Sequence, residues 1–145
     1  MATKTITSAN AVLTLWIPSL IPNPVQIQGF SADNIFDVEA ISAGEFVMGV
    51  DGILSMGFVY EMVPMNIKLQ ANSNSGAFFD TWRANEVAAG DKYTAQGRVS
   101  LPGLGQAWTL NNGGLKTYQP IPAAGKMLDP RTFGLVWQQV TPVPV

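Results

Sequence analysis

The densest group of residues that could do chemistry is acidic: Asp33, Asp37, Glu39 and Glu45. Carboxylates this close can pair for general acid–base work or hold a hard cation through oxygen. Neither reading finds its context. The segment has no glycine-centred metal loop and no neighbouring motif. Asp37 and Glu39 alternate with apolar Phe36, Val38 and Ala40, as the solvent face of a strand does. The second candidate is "LPGLGQ" at 101–106. Its two glycines are followed by no Lys-Ser/Thr pair and open no helix, so it lacks the setting of a phosphate-binding loop and reads as a tight turn.

The chain contains no histidine and no cysteine. This removes the commonest general base, a Ser-His-Asp triad, a cysteine nucleophile, imidazole and thiolate metal sites, and any disulfide. No catalytic, cofactor-binding or metal-binding residue is assigned, and the chain reads as a non-enzyme. Met48, Met56, Met62 and Met65 cluster in sequence, where methionine either fills a core or adapts to a subunit contact. Trp16, Trp82, Trp108 and Trp137 read as core or interface residues, because no basic residues interleave with them as a nucleic-acid surface requires. Lys68, Lys92, Arg98 and Lys116 are spread singly along the chain. The net charge of -2 and pI of about 4.9 give no footprint for binding phosphate backbones.

The 145 residues are read as one domain, 1–145, with a short Pro-rich tail at 141–145. Hydrophobic residues make up 47% of the chain, enough for a packed core, while charged residues are only 12%. That is about half the usual charged share, so we expect partners to cover part of the surface. No apolar run is long enough to span a membrane. The N-terminal apolar stretch is broken by Pro18, Pro22 and Pro24, unlike a signal peptide, and synthesis in the cytoplasm is expected.

Most of the chain has strand rhythm. Strands are expected near 11–17, 25–30, 35–41, 46–50, 53–63, 65–71, 92–102, 106–122 and 133–140, with a proline-rich turn at 18–24 and a loop at 123–132. Asp51-Gly52 signals a hairpin, because both residues tolerate positive φ. Asn112-Gly113-Gly114 signals a turn. One segment breaks the rhythm. Ser73, Asn74 and Ser75 are candidate N-caps, Phe78, Phe79 and Trp82 share one helical face that Val87 extends, and Gly90 is a stop. A helix at about 75–89 is expected, with Phe78, Phe79 and Trp82 as its packing face and Asp80, Arg83 and Glu86 outside. The fold class is mainly β, with one flanking helix over the open side of a sandwich or barrel.

The order of these features resembles the tail tube proteins of contractile-tailed bacteriophages, which are related to the tubes of contractile injection systems. The resemblance is carried by the Gly49-Val50-Asp51-Gly52 turn, the apolar strand at 65–71, the capping residues Ser73 to Ser75, and the stretch Lys116-Thr117-Tyr118-Gln119-Pro120. It spans about 28–140. It implies a β-sandwich or barrel-like tail tube fold and a structural role in the virion. Six copies would form a ring, and stacked rings a tube through which DNA and the tape-measure protein pass without specific binding. Sheath and baseplate would be further partners, with no membrane anchor and assembly in the host bacterial cytoplasm. Apolar residues around a flexible turn point to Phe46, Met48, Val50, Asp51, Gly52, Ile53 and Met56 as an inter-subunit or inter-ring contact. Three other readings stay open: the ring protein of a type VI secretion-like device, a tail terminator or baseplate protein, and, in a different class, a β-sandwich carbohydrate-binding module with exposed aromatics on one sheet.

Overall fold

A computed structural model of the chain describes residues 11–30 and 36–144. Asp33, one of the four clustered acids, lies outside the described residues, as do residues 1–10. The strands form because apolar and polar residues alternate where one face can be buried. β1 (Val12–Ile17) buries Leu13, Leu15 and Ile17. β2 (Ile21–Ile27) and β3 (Phe36–Val38) follow, then the hairpin strands β4 (Gly44–Met48) and β5 (Leu54–Phe58). β6 (Val63–Leu69) buries Val63, Met65, Ile67 and Leu69. After the helix α1 (Gly76–Ala89) come β7 (Ala95–Leu101), β8 (Gln106–Tyr118) and β9 (Arg131–Pro144).

Seven strands pair in the order β2-β1-β7-β8-β9-β6-β3, all antiparallel, and β4 and β5 pair only with each other. The fold is mainly β with one helix, as the sequence suggests. The large sheet is not a closed barrel, because β2 and β3 are its two edges and do not pair. Both edges are blunted. β2 carries Pro22 and Pro24, which the sequence suggested as part of a turn; an edge strand tolerates residues that cannot donate to a ladder. β3 is only three residues long.

Two further departures have the same kind of cause. The strands expected at 53–63 and 65–71 leave Pro64 between them, yet it lies inside β6, opposite Val136. Its carbonyl accepts from the Glu39 backbone N–H (3.1 Å), so its donorless side faces the end of β3, where the ladder stops. Residues 141–144, expected as a tail, extend β9 and pair with β8 through Gln106↔Pro144 and Trp108↔Pro142. β6 pairs with β9 only as far as Trp137, so these prolines also sit on a free edge.

Asn112-Gly113-Gly114 is not a turn. β8 continues through it with a bulge against β7, Asn112 sitting at φ 47°. The Asn112 side chain accepts from Gln96 (2.8 Å) and donates to Gln138 (2.8 Å), a row of amides across β7, β8 and β9. Gly113 is required for a different reason: a Cβ there would collide with the Trp137 ring. Trp137 is fully buried and donates Nε1–H to Met65 Sδ (3.3 Å).

The helix fills the apolar face of the sheet. Phe78, Phe79 and Trp82 are buried. Phe79 stacks on Phe133 of β9, with centroids 4.3 Å apart at 11°, and Trp82 donates Nε1–H to the Tyr93 carbonyl (3.2 Å). Gly90 ends the helix in the left-handed region at φ 67°. The buried face turns towards Glu86 and not Val87: Glu86 is buried and Val87 is exposed. Glu86 accepts from Lys92 Nζ (3.1 Å) and the Tyr93 backbone N–H (3.1 Å), which satisfies a carboxylate that could not otherwise be buried. At the other end, Ser75 is the N-cap but its side chain caps nothing. Ser75 Oγ accepts from Gln28 N–H (2.7 Å) and Ser73 Oγ donates to the Gln28 carbonyl (2.6 Å), tying the helix start to the end of β2.

The Gly113–Trp137 contact gives a paired prediction. Gly113→Ala forces the ring to shift and lowers unfolding free energy by about 1–3 kcal/mol. Gly114→Ala, whose Cβ would meet nothing within 4 Å, costs less than about 0.5 kcal/mol. Urea midpoints at unchanged m-value measure both. Equal effects would show that Trp137 does not set the requirement for glycine.

Candidate functional site: an exposed apolar hairpin

β4 and β5 pair in the register Gly44↔Phe58, Glu45↔Gly57, Phe46↔Met56, Val47↔Ser55 and Met48↔Leu54. Residues directly opposite share a face. Phe46, Met48, Leu54, Met56 and Phe58 therefore form one continuous apolar face, and Glu45, Val47 and Ser55 the other. In most antiparallel hairpins such a face lies on a core. Here it is open to water: its five side chains range from 46% exposed for Leu54 to 78% for Phe58.

The turn holds the two strands in this register. Gly52 N–H donates to the Gly49 carbonyl (3.0 Å), Gly49 N–H to the Ile53 carbonyl (2.9 Å), and Gly52 sits at φ 83°. This is a tight turn closed by a left-handed glycine. Of the Asp51-Gly52 pair, Gly52 takes positive φ and Asp51 does not. Its Oδ1 accepts from Ile53 N–H (3.2 Å) instead, which fixes the turn from within.

Of the residues proposed from sequence, Phe46, Met48 and Met56 come together on the apolar face. Val50, Asp51 and Gly52 form the turn, and Ile53 is exposed beside it. Leu54 and Phe58 were missed, as was Tyr60, which is 91% exposed and packs edge-to-face on Phe58 (4.9 Å). Residues 53–63 read as one long strand, which hid the mirror symmetry of apolar positions about the turn. The clustered methionines divide: Met65 is core, whereas Met48, Met56 and Met62 are exposed. Trp82 and Trp137 are buried, and Trp16 and Trp108 are half-buried.

The other polar groupings work as pins. Arg131 Nη2 and Nη1 donate to the two Asp80 oxygens (2.6 and 3.3 Å), and its Nε donates to the Gln119 carbonyl (3.1 Å). The guanidinium lies over the Phe133 ring, 4.9 Å from its centroid, and Tyr118 donates its hydroxyl hydrogen to Asp80. Asp80, expected to stay free outside, instead locks α1 to β8 and β9. The hydrogen bond from Arg131 is the main cause that holds the Asp80 carboxyl below its ordinary range. Burial first, and the Asp80 carboxylate second, push the Tyr118 hydroxyl up. Every member of this cluster has a partner, so it presents no free base or nucleophile. Among the described residues no group of three potential ligands could hold a metal ion, and no helix is long and apolar enough to cross a membrane.

Chains of this fold occur in solved contractile injection systems. One, in the sheath/tube terminator of the PVC extracellular contractile injection system, matches with a TM-score of 0.62 and 10% identity over 99% of both chains. A chain of the anti-feeding prophage baseplate gives 0.56 and 15%, covering 100% of this chain and 99% of that one. A chain of the PVC sheath–tube complex gives 0.58 and 11%, covering 97% and 93%. A comparison with curated proteins finds no match. The model of the family described as tail fiber protein gp32 matches residues 4–141. The chain belongs to this family, and it is a tail-associated structural protein.

The Asp80 pin predicts a pH dependence. In the unfolded chain the Asp80 carboxyl titrates in its ordinary range, near pH 4; in the fold it titrates lower. Its stabilisation is complete above about pH 4 and is lost as the pH falls through the folded-state value. Asp80→Asn flattens this acid limb in urea midpoints measured between about pH 2 and 5. An unchanged limb would assign acid sensitivity to other carboxylates.

Proposed function

We propose that the protein is a non-enzymatic ring-forming subunit of the inner conduit of a contractile tail. Copies assemble through the β4–β5 hairpin into six-fold rings that stack into a tube. The carrying observation is the apolar hairpin face, built in regular register and left exposed among the described residues. A two-stranded hairpin is marginal alone in water, so an apolar one is stable in use only when another chain covers it. Related support comes from the fold, shared with chains of a sheath–tube complex and of a six-fold symmetrised baseplate. A charged share of 12% suits a subunit largely surrounded by neighbours.

On this reading the protein resides in the virion after assembly in the host cytoplasm. Baseplate, sheath and tape-measure proteins are its partners, and DNA passes through the lumen without specific contacts. A second reading is a single ring that caps or starts the tube, favoured by the shared fold of a chain from a tube terminator.

Negative-stain microscopy with light scattering separates these. Polymeric hollow tubes support the tube subunit, and rings that never stack support the cap or initiator. Deleting residues 50–53 abolishes both assemblies and leaves a folded subunit. The pair Met56→Ser and Phe58→Ser does the same, with subunit stability changed by less than about 1 kcal/mol, because both side chains are exposed. Intact assemblies from these variants would remove the hairpin from the contact.

A further inference from the structure

Charge is divided unevenly along the chain. Residues 36–62, which hold β3, the hairpin and its base, carry five acids, Asp37, Glu39, Glu45, Asp51 and Glu61, and no lysine or arginine. From Lys68 onward, seven lysines and arginines stand against four acids, a net +3. Among the described residues there are two ion pairs, Lys92–Glu86 and Arg131–Asp80, and both lie within this second part. The five acids of the first part are exposed and pair with no base of the described subunit. The hairpin itself carries Glu45 and Asp51 and no base, an apolar and acidic arm, whereas the chain from Lys68 onward is net basic.

That part of the chain offers a surface of matching character. Arg83 on α1 and Lys116 on β8 flank a groove of about 470 Å³, completed by Leu115, Tyr118 and Pro120. Both bases are exposed and enter no ion pair among the described residues. Val87, one helical turn beyond Arg83 on the same face, and Ile121, next to Pro120, add exposed apolar surface beside it. A second groove, of about 290 Å³, is more apolar and is lined by residues that include Phe36, Val38, Trp108 and Val140. Its single charged residue is Asp37, which has the same sign as the arm. Like charges brought together across an interface oppose binding, so charge selects the first groove.

We propose that the acidic hairpin of one copy docks on the Arg83–Lys116 groove of a second copy. The inference rests on the self-assembly reading above and names its acceptor surface. Donor and acceptor are different surfaces, so the contact is head-to-tail. Head-to-tail contacts close into rings or run on as filaments.

Charge reversal of the full chain tests it, with assembly read by light scattering at several salt concentrations and folding checked by circular dichroism. Glu45→Lys with Asp51→Lys raises the protein concentration needed for assembly by about tenfold or more. Arg83→Glu with Lys116→Glu does the same. The neutral pair Arg83→Gln with Lys116→Gln gives a smaller loss, and salt weakens wild-type assembly. An equal mixture of the two reversed proteins assembles near the wild-type concentration, because each arm then finds a groove of opposite sign. Loss from arm reversal but not from groove reversal would overturn the acceptor and leave the self-assembly reading standing. A wild type that stays monomeric at every concentration would overturn both.

Discussion

Among the described residues, one helix covers the apolar face of the seven-stranded sheet. Phe79 stacked on Phe133, with Phe78 and Trp82 beside it, closes that core. Lys92 holds Glu86 at one end of the helix, Arg131 holds Asp80 near its middle, and Ser73 and Ser75 fix its start. The helix occupies the part of that face over β9, and the β4–β5 hairpin pairs with no other strand of the described subunit. Its face of Phe46, Met48, Leu54, Met56 and Phe58 stays open to water.

The same economy shapes the sheet edges. An open seven-stranded sheet would template further strands at β2 and β3. Prolines stop it at one edge, and a three-residue strand limits it at the other. Association through unspecific edge pairing is thereby suppressed. The surface that remains for association is one whose partner is set by shape and charge. In the proposed assembly, a head-to-tail contact of that kind is what a ring of identical subunits needs.

Much of this was legible in the residues. The helix and its aromatic face follow from spacing, and the hairpin follows from Asp51-Gly52 between apolar runs. The errors share a cause: local signals were outvoted by distant neighbours. Asn112-Gly113-Gly114 has the composition of a turn, yet Trp137 on the adjacent strand requires the glycine and Gln96 and Gln138 hold the asparagine. Glu86 reads as a solvent residue, yet Lys92 and the Tyr93 backbone make its burial possible. Pro22, Pro24, Pro142 and Pro144 read as breakers, and only the strand order shows that each lies on a free edge. Leu54 and Phe58 belong to the site through a register that no single run of residues displays.

Amide hydrogen exchange of the full chain, dilute and assembled, tests most directly the claim that the hairpin is an arm completed by a second chain. Local stability follows burial and covered hydrogen bonds. In the dilute subunit, amides of β4 and β5 are expected to exchange far faster than those of β8 and β9. On assembly they become protected, while the sheet changes little. Strong protection of β4 and β5 in the dilute subunit, or none in the assembled particle, would contradict the account.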